Sequence, residues 1–126
     1  MFRNTQAFSG FSVNDIAKAK EFYGGTLGMD VTEPGMQGLL SINVTGGNRI
    51  IVYEKPDHIP ATFTILNFPV DNIEQAVDAL TDKGIRFEQY GGPIATDPKG
   101  IMRGGGPLIA WFKDPAGNIL SVIQEH

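Results

Sequence analysis

Apolar and polar residues alternate through residues 7–13, with Phe11 and Val13 on one face and Phe8, Gly10 and Ser12 on the other. That is the period of a half-buried strand. Asn14 or Asp15 is placed to cap a helix, and Ile16, Ala19, Phe22 and Tyr23 recur at spacings that put them on one helical face. Gly24-Gly25 predicts the end of that helix. Residues 27–31 begin a short strand, residues 39–44 alternate as a second, and Gly46-Gly47 turns the chain into Ile50-Ile51-Val52-Tyr53. The first half therefore reads β-α-β-β-β. Residues 55–60, with Pro56 and Pro60, form a short linker, because proline does not fit a central strand. Residues 62–70 predict the next strand, and Asp71 with Glu74 has the spacing of a capping box ahead of Ile73, Ala76, Val77 and Leu80. Gly84 closes that helix, residues 85–90 follow as a strand, and residues 91–106 make a long glycine-rich loop. Residues 108–112 then pair with residues 119–123 across Asp114-Pro115-Ala116-Gly117-Asn118, where Gly117 supplies the positive φ that such a turn requires.

The two halves echo each other. Val13-Asn14-Asp15-Ile16 answers Val70-Asp71-Asn72-Ile73 at an offset of 57, and Gly47-Asn48-Arg49-Ile50 answers Gly117-Asn118-Ile119-Leu120 at an offset of 70. The second half thus carries 13 extra residues before its last strand. A repeat of one supersecondary unit implies that neither copy buries its apolar face alone, so the expectation is one domain over residues 1–126. Module 1 spans about residues 5–55, the linker 55–60, and module 2 about 61–126.

Composition narrows the function. The chain has 126 residues, enough for one core without staples, and no cysteine, which removes disulfides and thiolate chemistry. A net charge of −4 without a basic cluster speaks against nucleic acid as partner. No apolar run approaches the ~20 residues of a membrane span, and the start of the chain lacks the pattern of a signal peptide, so a cytoplasmic location is expected. A small organic molecule fits this surface better.

Phe11-Ser12-Val13-Asn14-Asp15 leading to Glu21-Phe22-Tyr23 and Leu27-Gly28, together with Trp111-Phe112-Lys113-Asp114-Pro115-Ala116-Gly117-Asn118 before a last strand, resembles the vicinal oxygen chelate superfamily. That group includes glyoxalase I, extradiol dioxygenases, bleomycin resistance proteins and fosfomycin resistance enzymes. The resemblance implies an α+β fold in which two tandem βαβββ modules form a cupped, mostly antiparallel half-barrel pair, and it implies a homodimer. Metal enzymes of the superfamily take His or Glu ligands from the first and last strands of each module. Those positions fall on Phe8, Ile51, Ile65 and Ser121, which offer neither imidazole nor carboxylate. Divalent cations need several such donors at once, so no metal and no other cofactor is expected. The alternative is a divalent metal ion held by residues outside the pattern, such as Glu54 and His58, or Glu125 and His126 at the end of the chain.

No nucleophilic triad is evident, because His58 lies in the linker. Strand parity assigns Phe8, Ser12, Ile51, Tyr53, Ile65, Asn67, Trp111 and Ser121 to the ligand-facing side, with Gly10 and Ile123 beside them. These are apolar walls with a few polar groups, as ligand pockets have, although the same residues also serve to fill a small barrel. Lys99 and Arg103 are candidates to swing over a ligand from the loop. The expected function is a small-molecule binding protein without catalytic residues, sequestering an aromatic or partly apolar compound. The alternative is an enzyme of the same superfamily, a glyoxalase-type lyase or dioxygenase, using Glu54, His58 or Tyr53.

Overall fold

The computed structural model describes residues 1–125. The chain divides into two compact units, Met1–Ile59 and Pro60–His126.

In the first unit β1 (Ser9–Val13), β2 (Asp30–Thr32), β3 (Leu39–Asn43) and β4 (Arg49–Glu54) form one sheet in the order β1-β4-β3-β2. β1 runs parallel to β4, and the other pairs are antiparallel. The alternation predicted from the sequence decides which side is core. Val13, Leu40, Ile42, Ile50 and Val52 are buried with Ala19 and Tyr23 of the helical segment, while the opposite face carries Gly10, Ser12, Ile51 and Tyr53. Asp15, not Asn14, caps α1 (Ile16–Lys20), its carboxylate accepting from the Lys18 N–H at 3.1 Å.

Gly24-Gly25 does not end the helix. The chain continues through a π-helical turn over Glu21–Thr26, closed by the Leu27 N–H on the Phe22 carbonyl at 2.9 Å. The wide turn accompanies a fully buried Tyr23, whose ring packs 5.7 Å from Phe11 and 5.1 Å from Phe22.

The second unit repeats the plan with β5 (Thr64–Pro69), β6 (Ile101–Met102), β7 (Leu108–Lys113) and β8 (Ile119–Gln124), ordered β5-β8-β7-β6. Val77 and Ile73 of α2 (Ile73–Asp82) are buried with Leu120, Val122, Ala110 and Phe112. Asn72 is the cap, accepting from the Gln75 N–H at 3.1 Å, so the expected Asp71–Glu74 box is displaced by one residue. Residues 85–90 do not form a strand. Phe87 makes a single antiparallel bridge to Phe112, and the outer edge of β7 is taken further along by β6, supplied by the extra residues of this half. The long loop is accordingly structured, with a 3-10 turn at Gly92–Ile94 and a bridge from Thr96 to Met102.

The duplication extends to a contact that alternation does not reveal. The first helical N–H of α1, on Ile16, donates to Glu54 at the end of β4 at 2.9 Å, and that of α2, on Ile73, donates to Gln124 at the end of β8 at 2.9 Å. The donors stand 57 apart and the acceptors 70 apart, the offsets of the two sequence echoes. Each helix start is thereby tied to the last strand of its own module.

Candidate functional site

On the first sheet, register places three cross-strand rows on the face opposite the helix. Phe8 precedes β1 in phase with Arg49, which faces Asn43 and then Asp30. Gly10 faces Ile51, Ser41 and Thr32 in the next row, and Ser12 faces Tyr53 and Leu39 in the third. Phe8 is 54% exposed, and the Arg49 guanidinium carbon lies 4.2 Å from its ring centroid, a cation–π geometry. A polar ladder crosses the outer strands: the Ser41 hydroxyl donates to Asn43 Oδ1 at 3.2 Å, and Asn43 Nδ2 donates to Thr32 Oγ1 at 3.3 Å. Opposite Ile51, the glycine at position 10 leaves space that a Cβ would take to within 3.2 Å of the Ile51 carbonyl oxygen.

His58 is not a loose linker residue. Its Nδ1 lies 2.7 Å from Ser12 Oγ, and the linker is pinned through the Lys55 N–H on the Val13 carbonyl at 2.9 Å. Tyr53, the register partner of Ser12, is 42% exposed. Glu54 points the other way, its carboxylate on the Ile16 N–H at the helix face. Of the three residues weighed as alternative catalytic groups, the structure gathers Tyr53 and His58 around Ser12 and turns Glu54 from them.

On the second sheet Asn67, Ser121 and Trp111 are register partners across three strands. Ser121 is fully buried, and its hydroxyl donates to Asn67 Oδ1 at 2.5 Å. A bulge separates Thr64 from Leu66, so that Thr64 pairs with Ile119 and Ile65 is the extra, half-buried residue. Thr64 receives the Trp111 indole N–H at 3.1 Å, a partner that strict alternation does not select. Tyr90 packs edge-on against Trp111 with centroids 5.4 Å apart. The aromatic wall is therefore Trp111 with Tyr90.

Between β7 and β8, the Asp114 turn is a buried hub. Asp114 Oδ1 accepts the N–H groups of Ala116 at 3.0 Å and Asn118 at 2.8 Å, and Oδ2 accepts from Asn118 Nδ2 at 3.0 Å. Gly117 holds φ of 88°, and a Cβ there would come within 3.2 Å of Pro60. The hub sets the register that puts Trp111 beside Ser121.

Lys99 and Arg103 are held against α2. Lys99 Nζ lies 3.1 Å from Asp78, and Arg103 pairs with Glu74 at 3.3 Å and with Asp97 at 2.9 Å. Asp97 is partly buried, which works against its charge, yet the Ile101 N–H, the Arg103 guanidinium and the Lys99 N–H outweigh this and hold its carboxyl below the usual range. Shallow grooves of 460 and 410 Å³ flank the two helices, the first lined by Lys20, Met36 and Leu39, the second by Asp78, Phe87 and Lys99. The first meets the rows described above at Leu39, and the second lies off them.

Among the described residues no three His, Cys, Asp or Glu side chains come together in a way that would hold a metal ion. His126, one member of the tail pair considered for a metal, lies outside the described residues. The donor set at the superfamily's metal positions is a phenyl ring, two aliphatic side chains and a hydroxyl already bonded to Asn67. It does not fit a divalent cation. Among the described residues no helix is long and apolar enough to cross a membrane.

The model of the Glyoxalase/Bleomycin resistance protein/Dioxygenase superfamily matches residues 7–122. Among solved structures, TnmS3, an antibiotic binding protein from Streptomyces sp. CB03234, is 24% identical, with 98% of each chain covered and a TM-score of 0.67. A glyoxalase family protein from Enterococcus faecalis is 21% identical, with 98% of this chain and 99% of that one covered and a TM-score of 0.70. A superfamily member from Sphaerobacter thermophilus DSM 20745 is 22% identical over 94% of this chain and 97% of its own, with a TM-score of 0.64. No curated protein matches the chain.

Proposed function

Since the chain belongs to the Glyoxalase/Bleomycin resistance protein/Dioxygenase superfamily, we propose that it binds and sequesters a small organic molecule, aromatic or apolar in part, without the superfamily's usual metal. The carrying observation is the replacement of all four expected ligand positions by Phe8, Ile51, Ile65 and Ser121 inside an otherwise complete pair of modules. The ligand surface is the face of each sheet opposite its helix, where Phe8, Ile51, Tyr53 and Trp111 supply apolar area and Ser12 and Asn67 supply polar anchors, while the fully buried Ser121 acts by holding Asn67. That TnmS3, an antibiotic binding protein, shares the fold supports a binding role. A homodimer completes the proposal, in keeping with the resemblance, and light scattering that returns a monomer at micromolar concentration would remove that part of it.

The test is a titration with aromatic compounds, followed through the single tryptophan. Saturable quenching or shift of Trp111 emission is expected, with Trp111→Ala weakening binding by about 1 kcal/mol or more. Stoichiometric uptake of Ni, Zn, Mn or Fe that tracks with turnover would overturn the proposal.

An enzymatic reading keeps one observation in its favour, the 2.7 Å contact of Ser12 with His58 beside Tyr53. Assays with the hemithioacetal of methylglyoxal and glutathione, and with catechols, decide between the two. Turnover lost on Tyr53→Phe or His58→Ala would favour the enzyme.

A further inference from the structure

Arg49 is not among the cations that the described residues bind into ion pairs. Lys20, Lys55, Lys99, Arg103 and Lys113 each have a carboxylate within 4 Å, whereas among the described residues Arg49 has none. It projects from the start of β4 onto the face opposite the helix, in the row Phe8–Arg49–Asn43. Phe8 and Ile51, adjoining it on that face, hold two of the positions where the superfamily places metal ligands. A fixed positive charge therefore lies next to the place where a metal would otherwise meet a ligand's oxygen atoms.

We infer that Arg49 receives the carboxylate of the ligand, and that the ligand of this face is a planar aromatic carboxylate. This rests on the binding role proposed above and narrows it to a chemical class. Four features of this face support the choice. The planar guanidinium matches a carboxylate with two parallel N–H···O bonds, a geometry that a lysine does not offer. Its contact with the Phe8 ring restricts the side chain before the ligand arrives, so less freedom is lost on binding. The absence of a side chain at Gly10 leaves the backbone bare between Phe8 and Ile51, a flat surface on which an aromatic ring can lie. Asn43, held through Ser41 and Thr32, has a second amide N–H left to donate beside Arg49. The acid on this row, Asp30, is two strands from Arg49, roughly 10 Å by strand spacing, and makes no ion pair with it. It leaves the guanidinium open and confines an incoming anion to the β1–β4 side.

The experiment compares 2-naphthoate with neutral 2-naphthamide on the full chain, by calorimetry and by amide chemical shifts of Gly10, Asn43 and Ile51. Naphthoate should bind about tenfold tighter than naphthamide, and less so in high salt. Arg49→Gln should remove that preference, lowering naphthoate affinity far more than naphthamide affinity and leaving the circular dichroism spectrum unchanged, and Arg49→Lys should restore only part of it. Equal binding of both probes, or full naphthoate affinity in Arg49→Gln, overturns the carboxylate assignment and leaves the sequestering role standing. Failure of both probes, with no shifts on this face, overturns the assignment together with that role.

Discussion

Replacing Asp114 by alanine tests the most concentrated polar arrangement of the second unit. Its side chain is buried, and three N–H groups, those of Ala116, Asn118 and the Asn118 amide, converge on its two oxygens at 2.8–3.0 Å. Asn118 is itself 2% exposed, so both its donors lose their acceptor where water has poor access. A buried donor left without a partner costs about 1–3 kcal/mol, and a hydrogen bond to a charged acceptor contributes about 1.5–3. Two such donors, together with a half-buried Ala116 N–H that water partly recovers, give an expected loss of about 3–5 kcal/mol. Against a total stability of about 5–15 kcal/mol, this removes a large share. Asp114→Asn keeps one carbonyl acceptor but opposes an NH2 to the Asn118 amide or to the backbone donors, so about 2 kcal/mol is expected. The assay is urea unfolding followed by far-ultraviolet circular dichroism, with the midpoint falling and the slope unchanged. A loss below about 1 kcal/mol for Asp114→Ala would refute the view of the turn as a buried polar hub and with it the account of how β7 and β8 keep register.

Gly100 holds φ of 92°, and a Cβ there would stand 2.8 Å from the Phe87 Cβ and 3.2 Å from the Glu88 carbonyl. Gly100→Ala is expected to cost about 2–4 kcal/mol and to open residues 91–107 to limited proteolysis; an unchanged cleavage pattern would count against the packed loop. The depressed Asp97 carboxyl predicts a pH effect whose sign follows from linkage. Because the folded value lies below the ordinary 3.8, the stabilisation is complete above that value and is lost as pH falls through the lower one. Amide exchange at Lys99 and Ile101 should accelerate in that acid range in the wild type, and Asp97→Asn should show fast exchange already at neutral pH. Trp111→Phe removes the 3.1 Å bond to Thr64 and keeps an aromatic edge for Tyr90, so thermal unfolding should register a loss of about 1 kcal/mol.

How far the sequence reached depended on the range of the interaction involved. Strand parity was legible because a sheet with one buried face leaves a period of two, and the burial of Val13, Ile50, Val52, Leu120 and Val122 follows it. The duplication was legible because both copies keep the same cap and turn chemistry. Helix ends were read less well, since Gly24-Gly25 looks like a stop when only local propensity is weighed. Burial of Tyr23 against Phe11 and Phe22 accompanies a π-helical turn that carries the chain through both glycines. The bulge before Leu66 broke the alternation, so Thr64 became the partner of Trp111 without any local signal except the hydroxyl itself. His58 reads as a linker residue because prolines flank it at positions 56 and 60, and its bond to Ser12 spans 46 positions that periodicity does not cover.

The offsets of the repeat held one further signal. Glu54 and Gln124 are related by 70 positions, and Ile16 and Ile73 by 57, as are the echoes themselves. A carboxylate that recurs as an amide at the equivalent place is unlike a general base, because an amide does not take up a proton at ordinary pH. Both side chains share only an accepting oxygen, and both use it on the first helical N–H of their module. Comparing the copies therefore separates capping groups, whose shared atom type is what matters, from positions such as Phe8 and Ile65 or Ile51 and Ser121, where the two copies differ. Positions at which the copies differ answer to something other than the fold that both copies share. The divergent positions, with Arg49 set beside the first of them, are where the ligand's chemistry would be written.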